Sequence, residues 1–186
     1  MKLIKFIIEY LKSPRTIGAI APSSKELANK MISHINFKSA KCIVEYGPGT
    51  GVFTEKLVNK KKQDTLLILI EFNKKFYNQL KEKYNKYNNV IIINDSAENI
   101  DKYLKKYAAP KVDYIISGLP FASLPKEVSN KILKNTEIIL KDHGLFITFQ
   151  YTLLKKEYIA SYFKHISIER VIFNLPPAYV LKCQNT

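Results

Sequence analysis

The sequence predicts an α/β protein built on a doubly wound sheet of seven strands that ends in an antiparallel hairpin. After residue 40, short β-branched runs alternate with lysine-rich amphipathic segments, which is typical of a parallel sheet covered by helices. A glycine-rich turn follows the first of these runs, as expected where a strand leads into a helix. The last two runs are separated only by residues 174–177, which are too few for a crossover helix. We therefore expect those two strands to pair antiparallel.

The individual elements follow from this alternation. We expect strands at 41–46, 66–71, 90–94, 112–117, 144–150, 166–173 and 178–183, and helices at 52–61, 73–86, 98–107, 126–140 and 153–163. Asn73 and residues 123–125 offer helix starts. Ser23 followed by Glu26 forms a capping box, which predicts a further helix running to about Ile35.

Length and composition indicate one globular domain. A chain of 186 residues with 46% hydrophobic residues can bury a substantial core, which excludes extensive disorder. The chain has thirty Lys and Arg residues and sixteen Asp and Glu residues. The resulting formal net charge of +14 favours an anionic partner, either nucleic acid or an acidic membrane surface. Short lysine groups such as 60–62 are also explained as solvated helix faces.

Cysteine usage and hydropathy bear on the compartment. Cys42 and Cys183, in a sequence without a secretory signal, indicate reduced thiols in a cytoplasmic protein, and their spacing does not suggest a metal site. The longest apolar runs have about five residues, whereas a helix that spans a membrane needs about 20. We therefore expect no transmembrane helix.

A glycine-rich turn and a later carboxylate outline a site for a nucleoside cofactor. Gly47, Gly49 and Gly51 alternate directly after the first strand, and Glu71 ends the second, where it can accept ribose hydroxyls. The dinucleotide fingerprint places its third glycine three positions after the second to receive a pyrophosphate, whereas Gly51 comes after two. Glu45 adds a negative charge that suits a cationic ligand without phosphates, such as S-adenosylmethionine. An ordinary strand-to-helix turn is the alternative.

The end of the third strand is expected to complete the cofactor site. Asp95 is placed to accept a hydrogen bond from the adenine amine, while the backbone at Ser96 and Ala97 reads the ring edge. Phe72, directly after the second strand, would pack on the adenine face. Asp95 taken alone is also explained as a helix cap.

The predicted catalytic turn follows the fourth strand and consists of Ser117, Gly118, Leu119, Pro120 and Phe121. An enzyme that methylates an amine needs acceptors here, which direct the nitrogen lone pair at the sulfonium methyl. Enzymes acting on adenine N6 carry Asn or Asp at the first position and an aromatic residue at the last. Phe121 fits that plan and Ser117 does not, which favours an amine that is not a nucleobase. A purely structural turn is the alternative.

Residues 1–40 precede the alternation and are expected to form amphipathic helices that cover the cofactor site of the methyltransferase domain at 41–186, within one structural domain overall. Between Met1 and Lys12 the large apolar side chains share an arc of about 200°, and the charged ones occupy the opposite face. Such a helix packs on the protein's own core or lies on an anionic membrane.

Four blocks carry a resemblance to a known family. They are Arg15–Ser24, Glu45–Gly51, Ser117–Pro120 and Asn174–Ala178. In these blocks the chain resembles the bacterial phospholipid N-methyltransferases, which are small class I methyltransferases related to the ribosomal RNA adenine dimethylases. The likeness extends over nearly the whole sequence. It implies that the segment containing Arg15, Thr16 and Gly18 closes over the cofactor.

The resemblance implies transfer of methyl groups from S-adenosylmethionine to the amine of phosphatidylethanolamine. We expect a direct in-line displacement without a metal or a covalent intermediate, carried out by a monomer attached to the inner face of the cell membrane. Tyr10, Tyr151 or Phe121 would stabilise the methylated cation through a ring face. The three histidines are expected to be structural.

Two other hypotheses stay open. Methylation of adenine in RNA is favoured by the charge of +14 and by Phe121. It is disfavoured by Ser117 and by the lack of the C-terminal RNA-binding extension usual in the dimethylases. The third hypothesis is a cofactor-binding protein that docks on membranes or RNA without catalysis.

Overall fold

One mixed sheet forms the centre of the protein. The computed structural model describes residues 25–174 and 176–185, and within these ranges seven strands pair in the order β3-β2-β1-β4-β5-β7-β6. The strands are β1 (Cys42–Tyr46), β2 (Leu66–Ile70), β3 (Val90–Ile93), β4 (Val112–Ser117), β5 (Leu140–Gln150), β6 (His165–Val171) and β7 (Ala178–Gln184). The first five are parallel, and β7 runs antiparallel to both β5 and β6. The predicted doubly wound sheet with an antiparallel C-terminal pair is confirmed.

Helices cover both faces of this sheet. They are α1 (Lys25–Ile32), α2 (Val52–Lys60), α3 (Lys74–Tyr84), α4 (Ile100–Lys106), α5 (Lys126–Ile139) and α6 (Lys156–Ala160), with a 3-10 turn at Ala97–Asn99. Residues from α1, α2 and α3 pack in one apolar cluster, and residues from α4, α5 and α6 pack in a second. Because β1 and β2 are covered on both faces, their sequences are almost continuously apolar rather than alternating.

Helix α1 is part of the core. Leu27, Ala28 and Met31 are fully buried and belong to the same cluster as residues of α2 and β5. At its end, Lys30 forms an ion pair with Glu169 of β6, and His34, just after the helix, forms a hydrogen bond with the same carboxylate. The described end of the predicted N-terminal segment is therefore fastened to the C-terminal strands.

The predicted helix starts and ends agree with the structure at some places and differ at others. The side chain of Asn73 accepts hydrogen bonds from the backbone of Lys75 and Phe76 and so caps α3 as predicted. The predicted helix at 98–107 begins instead with the 3-10 turn, and the one predicted at 153–163 is confined to α6. Ser23 and the helix expected between Met1 and Lys12 lie outside the described residues.

Strand β5 begins four residues earlier than predicted. Its first part is irregular, because the pairing with β4 shifts register between Val112 and Tyr114 and His143 adopts a φ of +62°. Helix α5 ends at Ile139, so β5 begins directly after it at Leu140. Among the described residues, no helix combines the length and apolar character needed to cross a membrane.

Candidate active site

The carboxyl ends of the strands meet at one edge of the sheet. Tyr46 of β1 pairs with Ile70 of β2 and with Ser117 of β4, and Ser117 pairs with Thr148 of β5. The segments that follow these strands therefore leave the sheet side by side, where ligands bind in open α/β sheets. This edge holds the predicted glycine turn and the predicted catalytic turn.

The glycine turn after β1 and the turn after β4 contact each other directly. The backbone N–H of Gly118 donates to the carbonyl of Tyr46 at 2.9 Å. A Cβ on Gly118 would lie 2.8 Å from the carbonyl oxygen of Gly47, and a Cβ on Gly47 would lie 2.8 Å from Cδ2 of Leu119. Two backbones can approach this closely only because neither position carries a side chain.

The glycine turn has the backbone conformation that its sequence predicts. Gly47, Gly49 and Gly51 all have positive φ angles, of +61°, +56° and +84°. A Cβ on Gly49 would meet nothing within 4 Å, so the turn faces open space at that residue. A ligand can therefore approach the backbone there.

Glu71 follows β2 directly and stabilises the glycine turn through hydrogen bonds. Its Oε2 accepts the backbone N–H of Gly49 at 2.9 Å, and its Oε1 accepts the backbone N–H of Asn73 at 2.7 Å. Burial raises the pKa of Glu71, and these hydrogen bonds oppose part of the rise. Because a carboxylate offers about four acceptor positions, Glu71 can still accept ribose hydroxyls.

Glu45 lies beneath the turn and is fully buried. Its Oε2 accepts the hydroxyl of Thr54 at 2.7 Å, whereas its Oε1 has no hydrogen-bond partner in the described part of the chain. Burial raises the pKa of Glu45 to about 8, the hydrogen bond from Thr54 works against this, and the charge of Glu71 adds to it. A buried carboxyl with an unused acceptor fits a cationic ligand above it, because a nearby positive charge favours its ionised form.

Asp95 makes several hydrogen bonds within its own segment. Its Oδ2 accepts the hydroxyl of Tyr103 at 2.8 Å, and its Oδ1 accepts from the backbone of Ser96 at 2.7 Å and from the side chain of Asn99 at 3.0 Å. Burial acts to raise the pKa of Asp95, but these hydrogen bonds outweigh it and the pKa is lowered. Asp95 thus orders the segment that leads into α4, although the N-cap of the 3-10 turn is Ser96. Its contact with the adenine amine stays a prediction.

The other predicted adenine contacts lie at the same edge. Phe72 is half-buried, and its carbonyl accepts from the side chain of Asn94 at 3.1 Å, which ties the end of β2 to the end of β3. The Ser96 hydroxyl accepts the backbone N–H of Glu98 at 3.4 Å and caps the 3-10 turn, and Ala97 is buried. The adenine contacts predicted for Phe72 and for the backbone at Ser96 and Ala97 stay predictions.

The turn after β4 is held from three sides. The Ser117 hydroxyl is buried and accepts the backbone N–H of Leu119 at 3.2 Å. The Ser117 carbonyl accepts the hydroxyl of Thr148 at 3.3 Å, and the Leu119 carbonyl accepts the side-chain amide of Gln150 at 3.4 Å. Pro120 is half-buried beside them. The carbonyls of this turn are thus fixed in direction.

Phe121 corrects the prediction for this turn. Only 1% of it is exposed, and its ring packs edge-on against Phe146 of β5, with centroids 6.1 Å apart. Phe146 in turn stacks on Phe163. Phe121 is therefore a core residue below the turn, and it is not placed to stack on a substrate at the open edge.

Tyr151 follows β5 at the same edge. Its ring packs edge-on against Phe149 at 5.5 Å. Burial raises the pKa of its hydroxyl, and the neighbouring side chain of Asn174 opposes part of the rise. Asn174 is itself buried and donates to the carbonyl of Pro176 at 2.7 Å. The predicted substrate residues Tyr10, Arg15, Thr16 and Gly18 lie outside the described residues.

The structure adds four residues to the predicted site: Thr54, Asn94, Gln150 and Asn174. Each binds a predicted site residue or the backbone beside it. Asn94 and Gln150 end predicted strands, and Asn174 follows one and opens the block Asn174–Ala178, whereas Thr54 lies inside a predicted helix and carries no such signal. No group of three or more His, Cys, Asp or Glu in the described ranges is arranged to hold a metal ion.

Comparison with known families classifies this site. The family model described as ribosomal RNA adenine dimethylase matches residues 23–173. The chain belongs to the ribosomal RNA adenine dimethylase family. As a member of that family it is an S-adenosylmethionine-dependent methyltransferase.

The chain is similar to methyltransferases that are named for lipid and for RNA substrates. The chain is 25% identical over 181 residues to the ornithine lipid N-methyltransferase of Singulisphaera acidiphila, covering 96% of this chain and 94% of that protein. It is 31% identical to ribosomal RNA small subunit methyltransferase A of a Hydrogenobaculum species, but over 69% of this chain and only 47% of that protein. A SAM dependent methyltransferase from Aquifex aeolicus superposes with a TM-score of 0.66 at 17% identity, covering 89% of this chain and 94% of that one.

The residues at the edge fit the cofactor of this dimethylase family. The open backbone at Gly49, the unused acceptor of Glu45 and the carboxylate of Glu71 suit a ligand that carries positive charge and a ribose. The half-buried Phe72 offers an apolar contact for a base. These residues would hold S-adenosylmethionine.

Proposed function

We infer that this methyltransferase acts on the primary amine of a membrane aminolipid headgroup, of which phosphatidylethanolamine is the representative. The observation that carries the proposal is the match in length to an ornithine lipid N-methyltransferase, since each chain covers more than nine-tenths of the other. The chain spans only about half of the RNA methyltransferase of Hydrogenobaculum. About half of that RNA methyltransferase is therefore not matched by this chain.

The turn after β4 supports an aliphatic amine. Its first residue is Ser117, whose hydroxyl accepts a hydrogen bond from the backbone N–H of Leu119. A serine has no side-chain amide with which to bind the edge of a base. Its last residue, Phe121, lies in the core, so the aromatic surface that would stack on a flipped base is missing from that position. Fixed backbone carbonyls suffice to orient a small amine.

The proposed reaction needs little chemistry from the protein beyond positioning. S-adenosylmethionine supplies an electrophilic methyl group. The carbonyls of Ser117 and Leu119, fixed by Thr148 and Gln150, hold the amine so that its lone pair is directed along the line of transfer. The incoming ammonium loses its proton to water before it reacts. His34, just after α1, forms a hydrogen bond with Glu169 of β6.

Successive methylations produce a bulkier cation. Tyr151 follows β5 beside the turn, and its ring is held by Phe149 while its hydroxyl lies with Asn174. A fixed aromatic ring favours a quaternary ammonium over its face. Tyr151 is therefore proposed to stabilise the methylated product. The proposed location is the inner face of the cell membrane, where the protein acts as a peripheral monomer.

Methylation of adenine in RNA is the second candidate. Membership of the ribosomal RNA adenine dimethylase family and the formal charge of +14 favour it. A protein that binds the cofactor and docks without catalysis is the third candidate.

One assay separates these candidates. The purified full chain is incubated with methyl-labelled S-adenosylmethionine and, in separate reactions, with phosphatidylethanolamine liposomes, ornithine lipid liposomes and ribosomal RNA. We expect label in at least one aminolipid, and the Glu71→Ala variant serves as the control for a weakened cofactor site. Label in RNA and never in lipid would overturn the proposal, and label in no acceptor would favour docking without catalysis.

A further inference from the structure

Two exposed apolar segments follow β5 and β6. In the first, Leu153 is 40% and Leu154 is 87% exposed, and in the second, Ile172 is 63% and Phe173 is 83% exposed. Six large hydrophobic side chains are exposed in the described part of the chain, and these are four of them. Isolated exposed apolar side chains are ordinary, whereas such a concentration marks an interaction surface.

Both segments lie at the edge that carries the active site. Gln150, the last residue of β5, pairs with Tyr179 of β7, and Arg170 near the end of β6 pairs with the same tyrosine. The chain therefore leaves β5 and β6 side by side at the carboxyl edge. The side chain of Asn174 lies close enough to the Tyr151 hydroxyl to affect its pKa, so the two segments approach each other at their base. We name Leu153, Leu154, Ile172 and Phe173 the apolar rim.

Positive charge flanks the apolar rim. Lys155 and Lys156 follow Leu154 directly, and Arg170 precedes Ile172 with its guanidinium 5.9 Å from the ring centroid of Tyr179. Lys156 is paired with Glu157 at 3.2 Å, so part of this charge is neutralised locally. The molecule as a whole has a formal charge of +14. Apolar side chains bordered by cations match the headgroup zone of an anionic membrane.

We propose that the apolar rim inserts into the surface of an anionic membrane and so presents the carboxyl edge of the sheet to lipid headgroups. The statement about headgroups rests on the aminolipid function proposed above, whereas membrane contact by the rim does not. A lipid surface fits better than a folded protein partner, because the exposed apolar side chains are flanked by cations and the molecule carries a formal charge of +14.

Vesicle flotation tests the contact without any methyl transfer. The full-length protein is mixed with vesicles of equal parts phosphatidylglycerol and phosphatidylcholine, in the absence of cofactor. The variant Leu154→Ser/Phe173→Ser removes the two most exposed rim side chains without changing charge. We expect its binding to fall by about tenfold or more, since each inserted side chain contributes substantially to partitioning.

A matched control distinguishes the rim from general loss of apolar surface. Tyr107 follows α4 and Ile138 lies near the end of α5, both leading into the opposite edge of the sheet, and both are exposed. The variant Tyr107→Ser/Ile138→Ser should therefore float like the unmodified protein. The proposal is overturned if the rim variant also floats normally, or if the control variant loses as much binding. Deletion of residues 1–12 that abolishes flotation, combined with normal flotation of the rim variant, likewise overturns it.

The same variant separates this proposal from the proposed function. Aminolipid dispersed in detergent micelles needs no membrane docking, so the Leu154→Ser/Phe173→Ser variant should methylate it at the unmodified rate. If the unmodified protein floats through its rim but methylates no aminolipid in micelles, the function is wrong and the membrane contact stands. If it methylates micellar aminolipid and the rim variant still floats, the membrane contact is wrong and the function stands.

Discussion

At the scale of single residues, the buried Glu45 is expected to make stability depend on pH. Burial raises its pKa to about 8 from an ordinary value of 4.5. Between these values the folded protein keeps a proton that the unfolded chain has lost, so the free energy of unfolding falls as pH rises through this window. The stabilising contribution is complete below about pH 4.5 and is lost as pH passes the folded-state pKa.

The Glu45→Gln variant keeps the shape of the side chain and an acceptor for Thr54. We expect the unmodified protein to lose on the order of 3 kcal/mol more stability than this variant between pH 5 and pH 8. Urea unfolding at both pH values measures the difference. Parallel pH dependences of the two proteins would show that Glu45 is ionised in the fold.

The hydrogen bond from Tyr103 to Asp95 gives a second test at this scale. The lowered pKa of Asp95 means that its contribution is present above the ordinary value of 3.8 and is lost as pH falls through the folded-state pKa. Because Asp95 is partly exposed, we expect Tyr103→Phe to cost only about 1 kcal/mol at pH 7 and less at pH 3. Chemical unfolding at the two pH values checks this, and an equal cost at both would contradict it.

The sequence predicts some site residues and misses others for a physical reason. Glu45 and Glu71 could be placed because each ends a strand, and strand ends determine position at the edge. The burial of the Phe121 side chain could not be predicted, because it depends on packing against Phe146 of β5. The role of Thr54 could not be predicted either, because only the folded structure shows that its hydroxyl donates to Glu45.

At the scale of elements, the contact between the turns after β1 and β4 is the critical one. A Cβ added to Gly118 would lie 2.8 Å from the carbonyl oxygen of Gly47, and both atoms belong to backbone. We expect Gly118→Ala to push the turns apart, to lower stability by about 1–3 kcal/mol and to weaken S-adenosylmethionine binding at least about tenfold. Titration calorimetry and urea unfolding measure the two effects.

Gly144→Ala is the matched control for this substitution. Its Cβ would lie 2.8 Å from the carbonyl oxygen of Lys141, an equally close backbone contact, near the start of β5 and far from the turns. It should reduce stability to a similar extent and leave cofactor affinity unchanged. Equal affinity losses in the two variants would mean that the Gly118 effect is only a general loss of fold.

The boundaries of the elements show where sequence patterns stop being informative. All seven strands could be predicted because apolar β-branched runs mark them. The early start of β5 could not, since residues 140–143 are mostly exposed and their extended path depends on pairing with β4.

At the scale of the whole molecule, the order of the strands brings distant parts of the chain to one edge. The glycine turn, the turn after β4 and the apolar rim all lie at the carboxyl edge. Tyr107 and Ile138 lead into the amino edge. The proposed cofactor site and the proposed lipid-facing rim thus share one edge, as a peripheral enzyme with a membrane-bound substrate requires.

Helix α1 decides whether the N-terminal segment folds with this unit or separately. Leu27 is fully buried among residues of α2 and β5, and Lys30 and His34 reach Glu169 of β6. If α1 belongs to the same cooperative core, Leu27→Ala must lower the stability of the entire protein by about 2–5 kcal/mol. Leu154→Ala, at a position that is 87% exposed, is the control and should cost almost nothing.

Urea unfolding followed by far-UV circular dichroism and by tyrosine fluorescence reads out this prediction. For Leu27→Ala we expect a single transition, shifted to lower urea and coincident in both signals, because α1 shares its apolar contacts with the central strands. If α1 unfolds separately and the main transition is unchanged, α1 does not belong to the cooperative core. That second result would move the boundary of the cooperative domain to the start of β1.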